Sequence, residues 1–203
     1  MIDLEQVLTR AGRRRYPEQS QRAARALSER AVDNGLIDVA ITAIDSPVGP
    51  IMLAATRRGL IRVSFAQGLD PAGFAAQLCA EVSPRVLEAP GYFDPIRKEL
   101  DEYFEGRRTR FDLPLDWSLT GGFTRRVLKE TARIPYGKVS TYGQVATAAG
   151  NPRAFRAAGN ALGSNPIPIF VPCHRVIRTG GDIGNYGGGP ETKRWLLQLE
   201  GAI

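Results

Sequence analysis

Apolar and polar positions change period several times along the chain, and each change marks an element. Leu4, Val7 and Leu8, then Ala23, Ala24, Ala26, Leu27 and Ala31, recur among Arg, Gln and Glu. That spacing predicts helix over residues 2–34, broken in two at Tyr16-Pro17. From Ile37 the period drops to two. Ile37, Val39 and Ile41, then Ile51 and Leu53, then Leu60, Ile61, Val63 and Phe65 read as three half-buried strands. Ser46-Pro47-Val48-Gly49-Pro50 and Arg57-Arg58-Gly59 are the turns between them, so an antiparallel meander is expected. Phe74, Leu78 and Val82 predict a helix over Pro71–Val82. Phe93, Ile96, Leu100, Tyr103 and Phe104 predict another, ended by Gly106. Phe111, Leu113, Leu115 and Trp117 alternate as a last strand or an extended linker.

After Ser118 the pattern is helix and turn. Phe123, Val127, Leu128 and Ile134 oppose Arg125, Arg126 and Lys129. Thr141-Tyr142-Gly143-Gln144 fits a capping box that opens a short helix ending at Gly150. Asn151-Pro152 opens the next, Asn as N-cap and Pro at the first helical position, running to about Leu162. Two such helices make a helix-turn-helix. An extended apolar run, Ile167–Val171, delivers Cys173. Gly184–Gly189 is a glycine-rich loop, and a final helix from Pro190 ends at Glu200-Gly201. The expected organisation is a helical, basic extension over 1–36 with no assigned role, an α/β domain over 37–117 built on an antiparallel sheet with helices, and a mostly α domain over 118–203.

Composition narrows the class. The chain is 43% hydrophobic and 24% charged, ordinary for a globular protein. It has no apolar run long enough to cross a bilayer and no apolar stretch of a secretory signal in its first thirty residues, so a cytoplasmic protein off the membrane is expected. Two cysteines, Cys79 and Cys173, and one histidine make neither a disulfide scaffold nor a four-ligand zinc site. No metal or cofactor is expected. The net charge of +6 is uneven: residues 118–203 hold eleven Lys/Arg against four Asp/Glu. A basic half beside a mildly acidic one suits an anionic partner, nucleic acid first, although a high pI alone is compatible with none.

Candidate chemistry concentrates at Val171-Pro172-Cys173-His174-Arg175-Val176, where the sole histidine adjoins one of the two cysteines. A thiol reacts as thiolate, and neighbouring basic groups favour that form. Adjacent side chains on a strand face opposite ways, so His174 would act on Cys173 through a water or across a bent backbone. Cys79 reads as a packed core or semi-buried thiol. Arg153–Leu162 is dominated by small side chains, which suit either close helix packing or a DNA groove. Two rivals follow from the residues: a helix-turn-helix DNA-binding module without chemistry, and a cysteine hydrolase. The second is disfavoured because the only histidine is adjacent to the cysteine.

These residues together resemble the O6-alkylguanine-DNA alkyltransferase family. The likeness is carried by Pro172-Cys173-His174-Arg175-Val176, Ser140-Thr141-Tyr142, Gly150-Asn151-Pro152, the Arg156 helix, Asn165-Pro166, Gly184-Asn185-Tyr186, Leu196-Leu197, Glu200-Gly201 and the Ser46–Gly49 turn. It covers residues 37–201 and implies a ribonuclease H-like N-terminal domain. It implies that Cys173 takes the alkyl group from O6 of guanine, with O4-alkylthymine a further substrate, in one irreversible turnover. His174 would receive the thiol proton through a water, Glu200 would orient the imidazole, and Asn165 would brace the turn before the cysteine. The partner would be double-stranded DNA, bound through the minor groove by a monomer. Tyr142, Ala154, Arg156, Ala157 and Arg175 would contact it, with Tyr142 pressing on the target phosphate and Arg156 filling the vacated stack. Tyr142, Val176, Tyr186 and Gly187 would line the guanine pocket. Gly187 stands where the family often has Ser or Ala, and Pro190 where an aliphatic residue is usual.

Overall fold

The computed structural model describes residues 18–65 and 70–203. The helix expected at Leu4–Leu8 lies outside them. Helix α1 (Glu18–Asp33) buries Ser28 and Val32 and packs on the 3-10 turn Pro90–Phe93, where Arg25 also pairs with Asp94.

Strands β1 (Val39–Ile44), β2 (Ile51–Thr56) and β3 (Gly59–Phe65) form the expected meander. Helix α2 (Pro71–Glu81) follows, capped by Asp70, whose side chain accepts from Gly73 N at 2.6 Å. The fourth strand is not the 111–117 segment. It is β4 (Val86–Glu88), parallel to β1, which makes the sheet mixed, in the order β3-β2-β1-β4. Residues 111–117 stay extended but add only a bridge, Leu60 to Leu115, beside β3. Gly59 permits this approach. Its φ is +126°, and a Cβ there would sit 2.1 Å from the Pro114 carbonyl oxygen.

The period-two pattern predicted half-buried strands, yet β1 and β2 are covered on both faces. One face packs Val39, Ile41, Met52, Ala54 and Ile61 under Phe74 and Leu78 of α2. The other joins Ala40, Ile44, Ile51, Leu53 and Val63 to Phe93 and Leu100, then runs without a break into the C-terminal half. Helix α3 (Asp94–Phe104) supplies Ile96, Leu100 and Tyr103 to that core.

The C-terminal half comprises α4 (Gly122–Thr131), β5 (Ser140–Thr141), α5 (Tyr142–Ala148), α6 (Phe155–Gly163), β6 (Val176–Ile177) and α7 (Gly189–Leu199). The capping box is formed: Gln144 N donates to Thr141 Oγ1 at 3.2 Å, and Thr141 N to Gln144 Oε1 at 2.8 Å. Helix α6 starts three residues later than Asn151-Pro152 predicts, because Ala154 N closes a turn onto the Asn151 carbonyl at 3.0 Å. The two halves also meet where Val63 N donates to the Pro166 carbonyl at 2.8 Å and where Phe111 packs on Phe170, ring centroids 4.4 Å apart.

Candidate active site

Cys173 is not on an extended strand. Ile167–Val171 folds into a tight turn, with Val171 N donating to the Ile167 carbonyl at 2.9 Å, and Cys173–Arg175 is one turn of 3-10 helix. Ile169 holds φ at +74°, a costly region for a β-branched residue, fixed here by burial in the core. Asn165 braces the turn as expected. Its Oδ1 accepts from Ile167 N at 3.0 Å, and its Nδ2 donates to the Val171 carbonyl at 2.9 Å. Nδ2 also donates to Cys173 Sγ at 3.1 Å, so the brace touches the sulfur itself.

Behind the cysteine lies a buried polar cluster. His174 Nε2 is 2.9 Å from Glu200 Oε1. A carboxylate only accepts, so Nε2 carries the proton and Nδ1 is the free lone pair. Among the described residues Nδ1 has no hydrogen-bond partner. Glu200 caps the C-terminus of α7 and also accepts from Arg175 Nε at 2.8 Å, Arg175 Nη2 at 2.9 Å and Tyr103 Oη at 2.6 Å. Burial pushes the Glu200 carboxyl up, but the His174 and Arg175 hydrogen bonds outweigh it and bring it down to about 2. Burial lowers His174 and lifts the Cys173 thiol to about 11, against the downward pull of the Asn165 hydrogen bond. At rest the pair is therefore thiol and neutral imidazole.

Cys173 opens on a cavity of about 430 Å³, walled by Tyr142, Gly159 and Leu162 on one side and by Asn185, Tyr186 and Gly187 on the other. The buried Tyr186 hydroxyl has no partner among the described residues. The Val176 carbonyl, expected at the pocket, accepts from Lys193 Nζ at 2.6 Å. A larger cavity of about 760 Å³ lies behind the turn, between Phe111 and Tyr136, but Cys173 does not line it.

Arg156 and Ala157 are exposed on α6, and Ala154 is half-buried before it. Ala158 faces inward and packs in the core, so small side chains serve both close packing and an open outer face. Arg175 corrects an expectation. Instead of facing DNA it is 6% exposed, its guanidinium taken up by Glu200 and by the Ile134 carbonyl at 2.6 Å. Two functional neighbours were missed. Tyr103 reads only as an apolar position in a helix of the other half, and the sequence pattern singles out nothing at Lys193, which is fully buried. Burial lowers its ammonium to about 8. No group of three or more His, Cys, Asp or Glu among the described residues could hold a metal ion.

Comparison with known proteins bears on this geometry. Residues 39–117 match the 6-O-methylguanine DNA methyltransferase ribonuclease-like domain, and residues 122–202 match that family's DNA-binding domain. A methylated-DNA–protein-cysteine methyltransferase of Methanosarcina barkeri is 38% identical over 157 residues, 77% of this chain and 94% of that protein. One from Rattus norvegicus is 41% identical over 171 residues, 79% of this chain and 81% of that protein. A crystal structure of Mycobacterium tuberculosis OGT in complex with DNA superposes with a TM-score of 0.70 at 37% identity, covering 82% of this chain and 94% of that one. With both domain models matched, Cys173 opening on a cavity and the adjacent His174 paired with Glu200, the chain belongs to the methylated-DNA–protein-cysteine methyltransferase family.

Proposed function

We propose that the chain repairs duplex DNA by moving the alkyl group from O6 of guanine, and from O4 of thymine, to Sγ of its own Cys173, once per molecule. It works as a monomer in the cytoplasm and reaches the base through the minor groove. Alkyl transfer to a protein cysteine is the family's activity, and the site residues divide the work. An alkylated base inside a duplex is out of reach of any side chain, so it must be turned out into the 430 Å³ cavity. Tyr142 at the start of α5 presses on the backbone, and Arg156 on the exposed face of α6 takes the vacated place in the stack.

In the transfer step Sγ attacks the alkyl carbon, an S–C bond forms and the C–O6 bond breaks. The electron pair goes to the purine, steadied by a hydrogen bond from the otherwise unpartnered Tyr186 hydroxyl. The thiol proton passes through a water to His174 Nδ1, and Glu200 stabilises the resulting imidazolium. The purine takes up a proton and leaves as guanine. The thioether left on Cys173 has no route back, which makes the reaction stoichiometric.

The carrying observation is the placement of Cys173. Its sulfur opens on a cavity between Tyr142 and the 184–187 loop, with a His–Glu pair behind it. Incubation with a duplex holding a single O6-methylguanine is expected to add the mass of one CH2 to the Cys173 peptide, one per chain, without turnover. An unmodified Cys173 beside intact lesion would instead mark a DNA-binding module without chemistry.

A further inference from the structure

Seven of the eight phenylalanines lie in a hydrophobic cluster or pack against one; Phe155 does not, and it is 50% exposed. It is the first residue of α6, directly before Arg156, whose guanidinium carbon lies 5.7 Å from its ring centroid. Single exposed apolar residues are common and by themselves mean nothing. The helical register gives this one a place. Positions 155, 159 and 162 share a face of the helix, and Gly159 and Leu162 wall the cavity on which Cys173 opens. Phe155 therefore stands one turn above Gly159, at the cavity rim. Side chains of a helix lean toward its N-terminus, so the ring projects outward from the pocket. The rim is cationic on the same side, with Arg153 and Arg156 exposed.

We infer that Phe155 is a second element of the DNA wedge: its ring stacks on the base flanking the extruded nucleotide, while Arg156 fills the vacancy itself. This rests on the flipping mechanism above. An aromatic face suits any base, because every base presents a π-face, and apolar wedges at a base step offset the cost of unstacking. The guanidinium against the ring holds the two side chains as one unit before DNA arrives. Phe155 thus acts on positioning and reaches neither the sulfur nor the alkyl carbon.

Two measurements test it. The first compares Phe155→Ala, Phe155→Leu and Phe155→Trp in transfer from an O6-methylguanine duplex and from the free base O6-benzylguanine. The ratio of duplex to free-base rate is expected to fall about tenfold in Phe155→Ala, less in Phe155→Leu, and to recover in Phe155→Trp. An unchanged ratio in Phe155→Ala, or equal loss on both substrates, would overturn the proposal. The second needs no chemistry. In a Cys173→Ala background, 2-aminopurine beside the lesion is expected to emit more strongly when bound by the Phe155→Ala protein than by one keeping Phe155. Equal emission would sink the stacking role even if alkyl transfer proceeds, whereas a difference in emission without any transfer in the unsubstituted protein would uphold it and overturn the repair reaction.

Discussion

Cys173 and His174 are both neutral at rest, and burial is the cause. For a thiol used once this is protective: the reactive thiolate is the minor form at rest. Lys193 is the counterweight. Its ammonium donates to the Val176 carbonyl and lies near enough to Cys173 to lower the thiol from where burial alone would put it. Lys193→Met keeps the volume and removes the cation. Thiolate should then form less readily, so alkylation by iodoacetamide at pH 7, where Lys193 is still mostly protonated, read on the Cys173 peptide to exclude the exposed Cys79, should slow roughly three- to tenfold. Its pH midpoint should move up. An unchanged profile would mean the lysine only ties β6 to the glycine-rich loop. Cys173, His174, Asn165 and Glu200 were legible in the sequence because their spacing carries a family pattern. Lys193 and Arg175 were not, since a charged side chain is ordinarily a solvated one and nothing local says that these are buried.

Elements were legible where a local signal fixes them. Thr141 and Gln144 satisfy each other's backbone donors, so α5 begins where the capping box says. That cap also places Tyr142, the next residue, against Gly159 of α6, where a Cβ would meet the Tyr142 ring at 3.7 Å. Thr141→Ala should cost about 1 kcal/mol of stability in urea unfolding. It should also lower duplex transfer by more than free-base transfer, because Tyr142 loses its fixed origin. Non-local structure was not legible. The three-residue β4 has exposed Leu87 and Glu88 and no alternation, and only its parallel pairing with β1 defines it. The half-buried reading of β1 and β2 failed because the second covering layer comes from α3 and the C-terminal half, distant in sequence.

At the scale of the molecule, one core crosses both halves, and Tyr103 carries the connection into the active site. Its hydroxyl, on α3, donates to the same Glu200 oxygen that faces His174 Nε2. Glu200 thus accepts hydrogen bonds from donors in both halves. The ordinary carboxyl value is 4.5 and the folded value about 2. A depressed folded value means stability that is whole above pH 4.5 and is lost as pH falls toward 2. Tyr103→Phe removes one donor from a buried charge, a loss of about 2 kcal/mol at neutral pH. The folded value of Glu200 then rises, so acid unfolding should begin at higher pH. Because the core is continuous, fluorescence of Trp117 and Trp195, one beside the sheet and one on α7, should report a single coincident transition in wild type and variant alike. Separate transitions would show that the halves fold independently. An acid midpoint unmoved by Tyr103→Phe would show that His174 and Arg175 alone hold the carboxylate, leaving the N-terminal half a scaffold without influence on the catalytic pair.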